Sequence, residues 1–197
     1  MTATATDLGV RPPSRRRRFP RALANRWPTA LAIGMSAATL GGGKSDDSIG
    51  GFSEALLLLP MLYVIVAAIR RPQFSWVILG VLLTLVIVLR AVDVVPPSAV
   101  LVMVSLVVLV WAGLHGRLHK PDILRLQALG MIGFGAVALV GLAVDPDIGR
   151  YLVAAGWFLH GMWDIAHLRA DRVVQRSWAE WCAVVDVLIA IQLAFKL

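Results

Sequence analysis

The sequence predicts an all-α, polytopic integral membrane protein, folded as a seven-transmembrane-helix bundle. Three observations point there. Of 197 residues, 58% are hydrophobic and 16% charged, against about 45–50% and ~25% in soluble domains, so most of the surface must face something other than water. Apolar runs long enough to cross a ~30 Å hydrocarbon core recur between short charged hinges. Those hinges alternate between basic and acidic, as expected when successive loops lie on opposite sides of a bilayer. A transmembrane β-barrel would instead alternate in segments of about ten residues, and the sequence has no such pattern.

Residues 1–26 carry Arg11, Arg15, Arg16, Arg17, Arg18, Arg21 and Arg26 against Asp7 alone. With so little apolar surface this arm is expected to be disordered and cytoplasmic, held against anionic lipid. Ser14 to Phe19 resembles a twin-arginine export signal, but no small-x-small cleavage site follows the next apolar run. The net charge of +7 and isoelectric point near 10.7 come from this arm and from helix ends. Such charge orients a chain in the membrane, and no nucleic-acid partner is expected. A single cysteine, Cys182, excludes an internal disulfide.

Residues 27–197 form the expected transmembrane domain, with apolar segments near 27–41, 52–69, 74–92, 97–115, 123–144, 148–168 and 178–195. The first is short and rich in Ala and Gly. It must span, because the arginine arm belongs inside while the loop with Asp46 and Asp47 belongs outside. The loops at Arg70-Arg71, Arg117–Arg125 and Arg169–Arg176 are then cytoplasmic, and those with Asp93, Asp145 and Asp147 external. The resulting protein is N-in, C-out and sits multi-pass in the cytoplasmic membrane.

Pro96-Pro97 should open the fourth helix, Asp122 should cap the fifth, and Ser177-Trp-Ala-Glu180 reads as a capping box for the seventh. Gly130, Gly133 and Gly135 suggest close packing on the fifth helix. Trp27, Trp76 and Trp178 fall where interfacial anchors are expected.

The chemistry concentrates between Gly156 and Asp186. His160, Asp164 and His167 recur at i, i+4 and i+7, sharing one face of the sixth helix. Cys182 and Asp186 lie on the seventh, an antiparallel neighbour after a short loop. Counting at 1.5 Å per residue puts His160 and Asp186 level, about 10–13 Å from the cytoplasmic end. An ionised Asp at mid-membrane costs roughly 2.5–3.5 kcal/mol, so Asp164 and Asp186 should turn inward onto a histidine, a tryptophan N–H or cavity water. Gln127 and Cys182 are further candidates for the lining of an inner-half cavity. Toward the other end, Glu54, Arg90 and Asp93 form a second polar group read as an ion pair. His115 and His119, with His167, make a weaker metal-ligand set near the membrane surface.

Gly156-Trp157-x2-His160-x2-Trp163-Asp164-x2-His167-x-Arg169, followed by Trp181-Cys182-x3-Asp186, resembles a family of small, uncharacterised multi-pass membrane proteins of high-GC Gram-positive (actinobacterial-type) bacteria. Leu126 to Met131 and the helix bearing Glu54 belong to that resemblance, which implies no particular activity. The topology is also similar to seven-helix zinc hydrolases of the adiponectin-receptor and ceramidase type, but the second helix has no ligand histidine and the last has no H-x3-H.

Three functional readings follow. His160, Asp164, His167 and Asp186 suit zinc or iron, and an enzyme using them would act on a lipid-like substrate at the inner leaflet. A proton-coupled carrier would instead pass a proton between Asp186 and His160. A purely structural role leaves the same residues as interhelical glue, a poor return at about 0.6 kcal/mol per contact for two buried carboxylates. Haem ligation by paired histidines is a further, less favoured use.

Overall fold

The computed structural model describes residues 26–40, 46–116 and 123–197. The arginine arm up to residue 25, His119 and the expected cap at Asp122 lie outside the described residues. Among the described residues there are seven α-helices and no strand. They are α1 (Trp27–Ala38), α2 (Asp46–Ile69), α3 (Ser75–Val92), α4 (Pro97–Leu114), α5 (Ile123–Ala143), α6 (Pro146–Ala170) and α7 (Arg176–Phe195). A 3-10 turn at Pro72–Phe74 leads into α3, and α4 opens on Pro97 as expected. "Basic end" below means the end with Arg70-Arg71 and the α6–α7 turn; "acidic end" means the end with Asp93 and Asp145.

Five helices (α2, α3, α4, α5 and α7) are long and apolar enough to cross a membrane. The two remaining helices fall short for different reasons. With 12 residues, α1 is only about 18 Å long. It is docked onto α7 by polar contacts at both ends: Arg26 and Thr29 donate to Glu180, Gln192 donates to the carbonyl of Ser36, and Thr39 donates to Gln192. By contrast, α6 has 25 residues, ample length, but polar side chains lower its hydropathy. Its pattern is inside-out: Arg150, His160, Asp164 and His167 are buried, whereas Tyr151, Phe158, Leu159 and Met162 are exposed.

Helix α2 is the hub, with 72% of its spanning window buried, and packs against α3, α4, α5 and α6. Outward on α3 and α4, Val77, Val81, Ile87, Met103, Val107 and Val110 form apolar faces that suit acyl chains. The α6–α7 hairpin is the most extensive helix pair. At the acidic end Arg150, buried, donates to the carbonyls of Leu193 and Ala194 at 2.7 and 3.3 Å. A cation is thereby placed on the negative end of the α7 dipole. Close by, Lys196 reaches Asp147 at 3.0 Å and holds that exposed carboxyl below the usual carboxylate range.

Three local expectations need correction. The capping box does not form: α7 begins at Arg176, Ser177 accepts from the Trp76 indole at 3.0 Å, and Glu180 is taken by α1. Trp178 is no interfacial anchor, being fully buried beside Trp76 and Trp181, because the short α6–α7 turn folds the start of α7 against α3. Of Gly130, Gly133 and Gly135 on α5, the first and last meet neighbouring side chains, whereas a Cβ on Gly133 would meet nothing within 4 Å.

Candidate functional site

The inward faces of α2, α6 and α7 converge on one polar cluster. Every fourth position on α6 points at α7, which aligns His160 with Asp164; the same spacing on α7 aligns Cys182 with Asp186. Gly161 allows the close approach: a Cβ there would lie 3.1 Å from that of Asp186. His160 Nδ1 consequently lies 2.6 Å from Asp186 Oδ2, and Cys182 Sγ donates toward Asp186 Oδ1 at 3.7 Å. Asp164 Oδ2 stands 3.2 Å from the same imidazole nitrogen. From α2, the Tyr63 hydroxyl donates to Asp164 Oδ1.

His160, Asp164, Cys182 and Asp186 are each 0% exposed. One donor atom from each falls within 4.8 Å of the others. Zinc bonds run about 2.0–2.3 Å, so tetrahedral donors stand about 3.3–3.8 Å apart, and the side chains must draw in by up to about 1 Å to close on an ion. Two of the quartet's donor atoms are also buried without a hydrogen-bond partner among the described residues, His160 Nε2 and Asp164 Oδ2. The donor set therefore fits a divalent transition metal.

His167 stands apart from this quartet. Its Nδ1 bonds to the Trp163 carbonyl at 2.8 Å, and its Nε2 contacts the Gln127 amide nitrogen at 2.8 Å. Both ring nitrogens are thus engaged by protein groups. Gln127 joins the site through His167. Of the surface set, His119 lies outside the described residues, and His115 is exposed and bonds back to the Trp111 carbonyl within its own helix. Helix ends also shift the depth. His160 and Asp186 are each ten residues from the basic ends of their helices, about 15 Å, and Asp164 and Cys182 six, about 9 Å, so the cluster reaches from the basic-end half to mid-bundle.

At the acidic side Arg90 donates twice to Glu54 Oε2, at 2.7 and 3.0 Å. Asp93 is outside this pair, exposed and capping α3 in the left-handed region.

Two participants were not singled out from the sequence. Tyr63 is the lone hydroxyl-bearing residue in the aliphatic second half of α2, and a phenol at that depth needs a partner. Arg150 is a cation inside the sixth apolar segment, and its burial marks a carbonyl partner. Compared with protein-family models, curated proteins and solved structures, the chain matches none.

Proposed function

We propose that the chain binds one divalent metal ion, zinc or iron, at His160, Asp164, Cys182 and Asp186, and uses it as an enzyme on a lipid-like substrate. The observation that carries this reading is the sealed quartet, with four ligand atoms from two helices within 4.8 Å. Tyr63 would act as an outer-shell group, fixing Asp164 through Oδ1 and leaving Oδ2 for the ion. His167, with both nitrogens engaged, would orient rather than ligate. When bound, such an ion would supply Lewis-acid activation of a water or carbonyl. A site inside the bundle, reaching into its basic-end half, favours a lipid-like substrate taken from the inner leaflet over a water-soluble one.

The membership suggested by the G-W-x2-H-x2-W-D-x2-H motif is part of this proposal, as is a cytoplasmic-membrane location with the basic end inside. In that orientation the arginine arm meets anionic lipid.

A proton-coupled carrier is the second reading, favoured by the two carboxylates, Asp186 and Asp164, that stand 2.6 and 3.2 Å from one His160 nitrogen, with the Tyr63 hydroxyl on the second. Elemental analysis of detergent-purified protein separates the two. The enzyme reading expects about one metal per chain, lost in His160→Ala and Asp186→Asn. A folded wild-type sample without metal, combined with pH-dependent solute uptake abolished by Asp186→Asn, would replace it with the carrier.

A further inference from the structure

Beside the quartet but separate from it lies a cavity of about 470 Å³ between α1, α2, α3, α6 and α7. Its volume is in the ~300–1,000 Å³ range of small-molecule sites. Trp157 and Trp181 form its floor, and Gly51 and Thr39 stand at its acidic-end rim. From Gly51 to Leu59 on the α2 wall the cavity runs about 12 Å along the bundle. Helices α1 and α3 touch through Trp27 and Trp76 at the basic end, ring centroids 5.4 Å apart. Further along, the lining residues Met35 and Leu40 of α1 and Leu83 of α3 are 42%, 60% and 42% exposed. The cavity therefore opens sideways between α1 and α3, toward the surroundings of a spanning helix.

One cation stands at the rim. Arg90 Nη2 lies 3.4 Å from where a Cβ on Gly51 would be, and its side chain remains 47% exposed while holding Glu54. Both hydrogen bonds to Glu54 use one carboxylate oxygen and the Nε and Nη2 of the guanidinium. An arginine has five N–H donors in a fork that matches phosphate, so capacity remains for a second acceptor.

We infer that this cavity holds one acyl chain of a membrane phospholipid, with its phosphate on Arg90. An almost wholly apolar slot opening laterally at membrane depth excludes polar solutes, and a cation at the rim selects a chain with an acidic head over a plain hydrocarbon. The inference deepens the lipid half of the reading above and is independent of its metal. Trp157 sits between: it lines the cavity, stands one turn from His160, and donates to the Phe52 carbonyl at 3.0 Å. A chain in the slot would abut the helix segment that carries the quartet.

The test uses the full chain in detergent, treated with a chelator, and titrates phosphatidylglycerol brominated on its acyl chain while indole fluorescence is read. Bromine quenches nearby indoles, so wild type should show saturable quenching. The double variant Trp157→Phe/Trp181→Phe should lose most of it. Ala55→Phe, which fills the slot, should abolish saturation, and Leu83→Phe at the lateral opening serves the same end should the first fail to fold. Arg90→Gln, which keeps a donor for Glu54, should weaken the phospholipid about ten- to a hundredfold. The same change should leave a brominated fatty alcohol of equal length unaffected. Undiminished saturable quenching in the filled variants or in the double tryptophan variant would overturn the cavity. Equal losses for both probes in Arg90→Gln would overturn the phosphate contact. Because metal is absent throughout, either failure leaves the metal assay to be judged separately.

Discussion

Gly161 sets the spacing between His160 and Asp186, and Gly161→Ala should weaken metal binding without unfolding the bundle. An added Cβ would stand 3.1 Å from Asp186 Cβ, 3.3 Å from Val187 Cγ2 and 3.4 Å from the Ala183 carbonyl. Carbon pairs prefer about 3.5–4.0 Å, so α6 and α7 must part by about 0.4–0.9 Å at this point. The Val187 methyl can turn aside, but Asp186 Cβ and the Ala183 carbonyl oxygen are fixed to the α7 backbone and move only with the helix. Ligand distances at a metal tolerate only about ±0.2 Å, so the displacement exceeds what the quartet can absorb. Stability behaves differently. Overpacking costs about 1–3 kcal/mol, while replacing a helical Gly with Ala returns about 1 kcal/mol, leaving a net loss of roughly 0–2 kcal/mol. The assay pairs thermal unfolding in detergent with competitive zinc titration. Expected is a melting shift of a few degrees with an affinity loss of about tenfold or more. Gly133→Ala, which meets nothing within 4 Å, should leave zinc affinity unchanged and raise the melting temperature by the helical gain of about 1 kcal/mol alone. Wild-type zinc affinity in Gly161→Ala would refute the claim that this contact sets the site.

Further outcomes follow from the same geometry. Tyr63→Phe removes the donor that orients Asp164; metal affinity should fall about 10–100-fold, as for other outer-shell changes, with the helical signal retained in circular dichroism. Arg150→Met strips the carbonyls of Leu193 and Ala194 of a buried charged donor and should lower stability by about 1.5–3 kcal/mol. Arg150 is ten residues from His160, about 15 Å along α6, so metal content per folded chain should stay unchanged. Glu180→Gln should hardly move the melting temperature, because its partner Arg26 is 73% exposed.

Much of the architecture could be read in advance because hydrocarbon imposes simple rules on composition. Apolar runs and hinge charges located every helix to within a few residues, apart from α2, which begins at Asp46. They could not reveal that α1 is a 12-residue helix clasped to α7, since its anchors Thr29, Ser36 and Thr39 look like ordinary small residues until Glu180 and Gln192 reach them. The capping box failed for a related reason. Ser177 and Glu180 have the right spacing, but tertiary partners, the Trp76 indole and Thr29, took both side chains. At the site, helical periodicity and the cost of a buried carboxylate placed Asp186 on His160. Periodicity equally put His167 on that face. What it could not weigh is that a residue one turn nearer the helix end finds a local carbonyl and a glutamine on α5. Tyr63 comes from a third helix more than a hundred residues away, a distance no single-helix pattern spans.

Charge accounting ties these pieces together. Asp164 and Asp186 crowd one imidazole nitrogen at 3.2 and 2.6 Å, all fully buried. Two ionised carboxylates beside one imidazolium leave a net charge of −1, and an uncompensated buried charge costs about 3–5 kcal/mol when its partner is missing. Two arrangements restore neutrality. One adds a proton, giving an imidazolium with one ionised and one neutral carboxyl. The other adds a divalent cation facing two carboxylates and a neutral imidazole. Hydrogen bonding alone leaves His160 Nε2 and Asp164 Oδ2 unpartnered, a cost of about 1–3 kcal/mol for each buried group. The cation gives Asp164 Oδ2 a partner, and it can take the Cys182 sulfur as a thiolate provided one carboxyl keeps its proton, which holds the site neutral. On that difference the metal is the better occupant, and the number of metal ions retained per folded chain decides between the two.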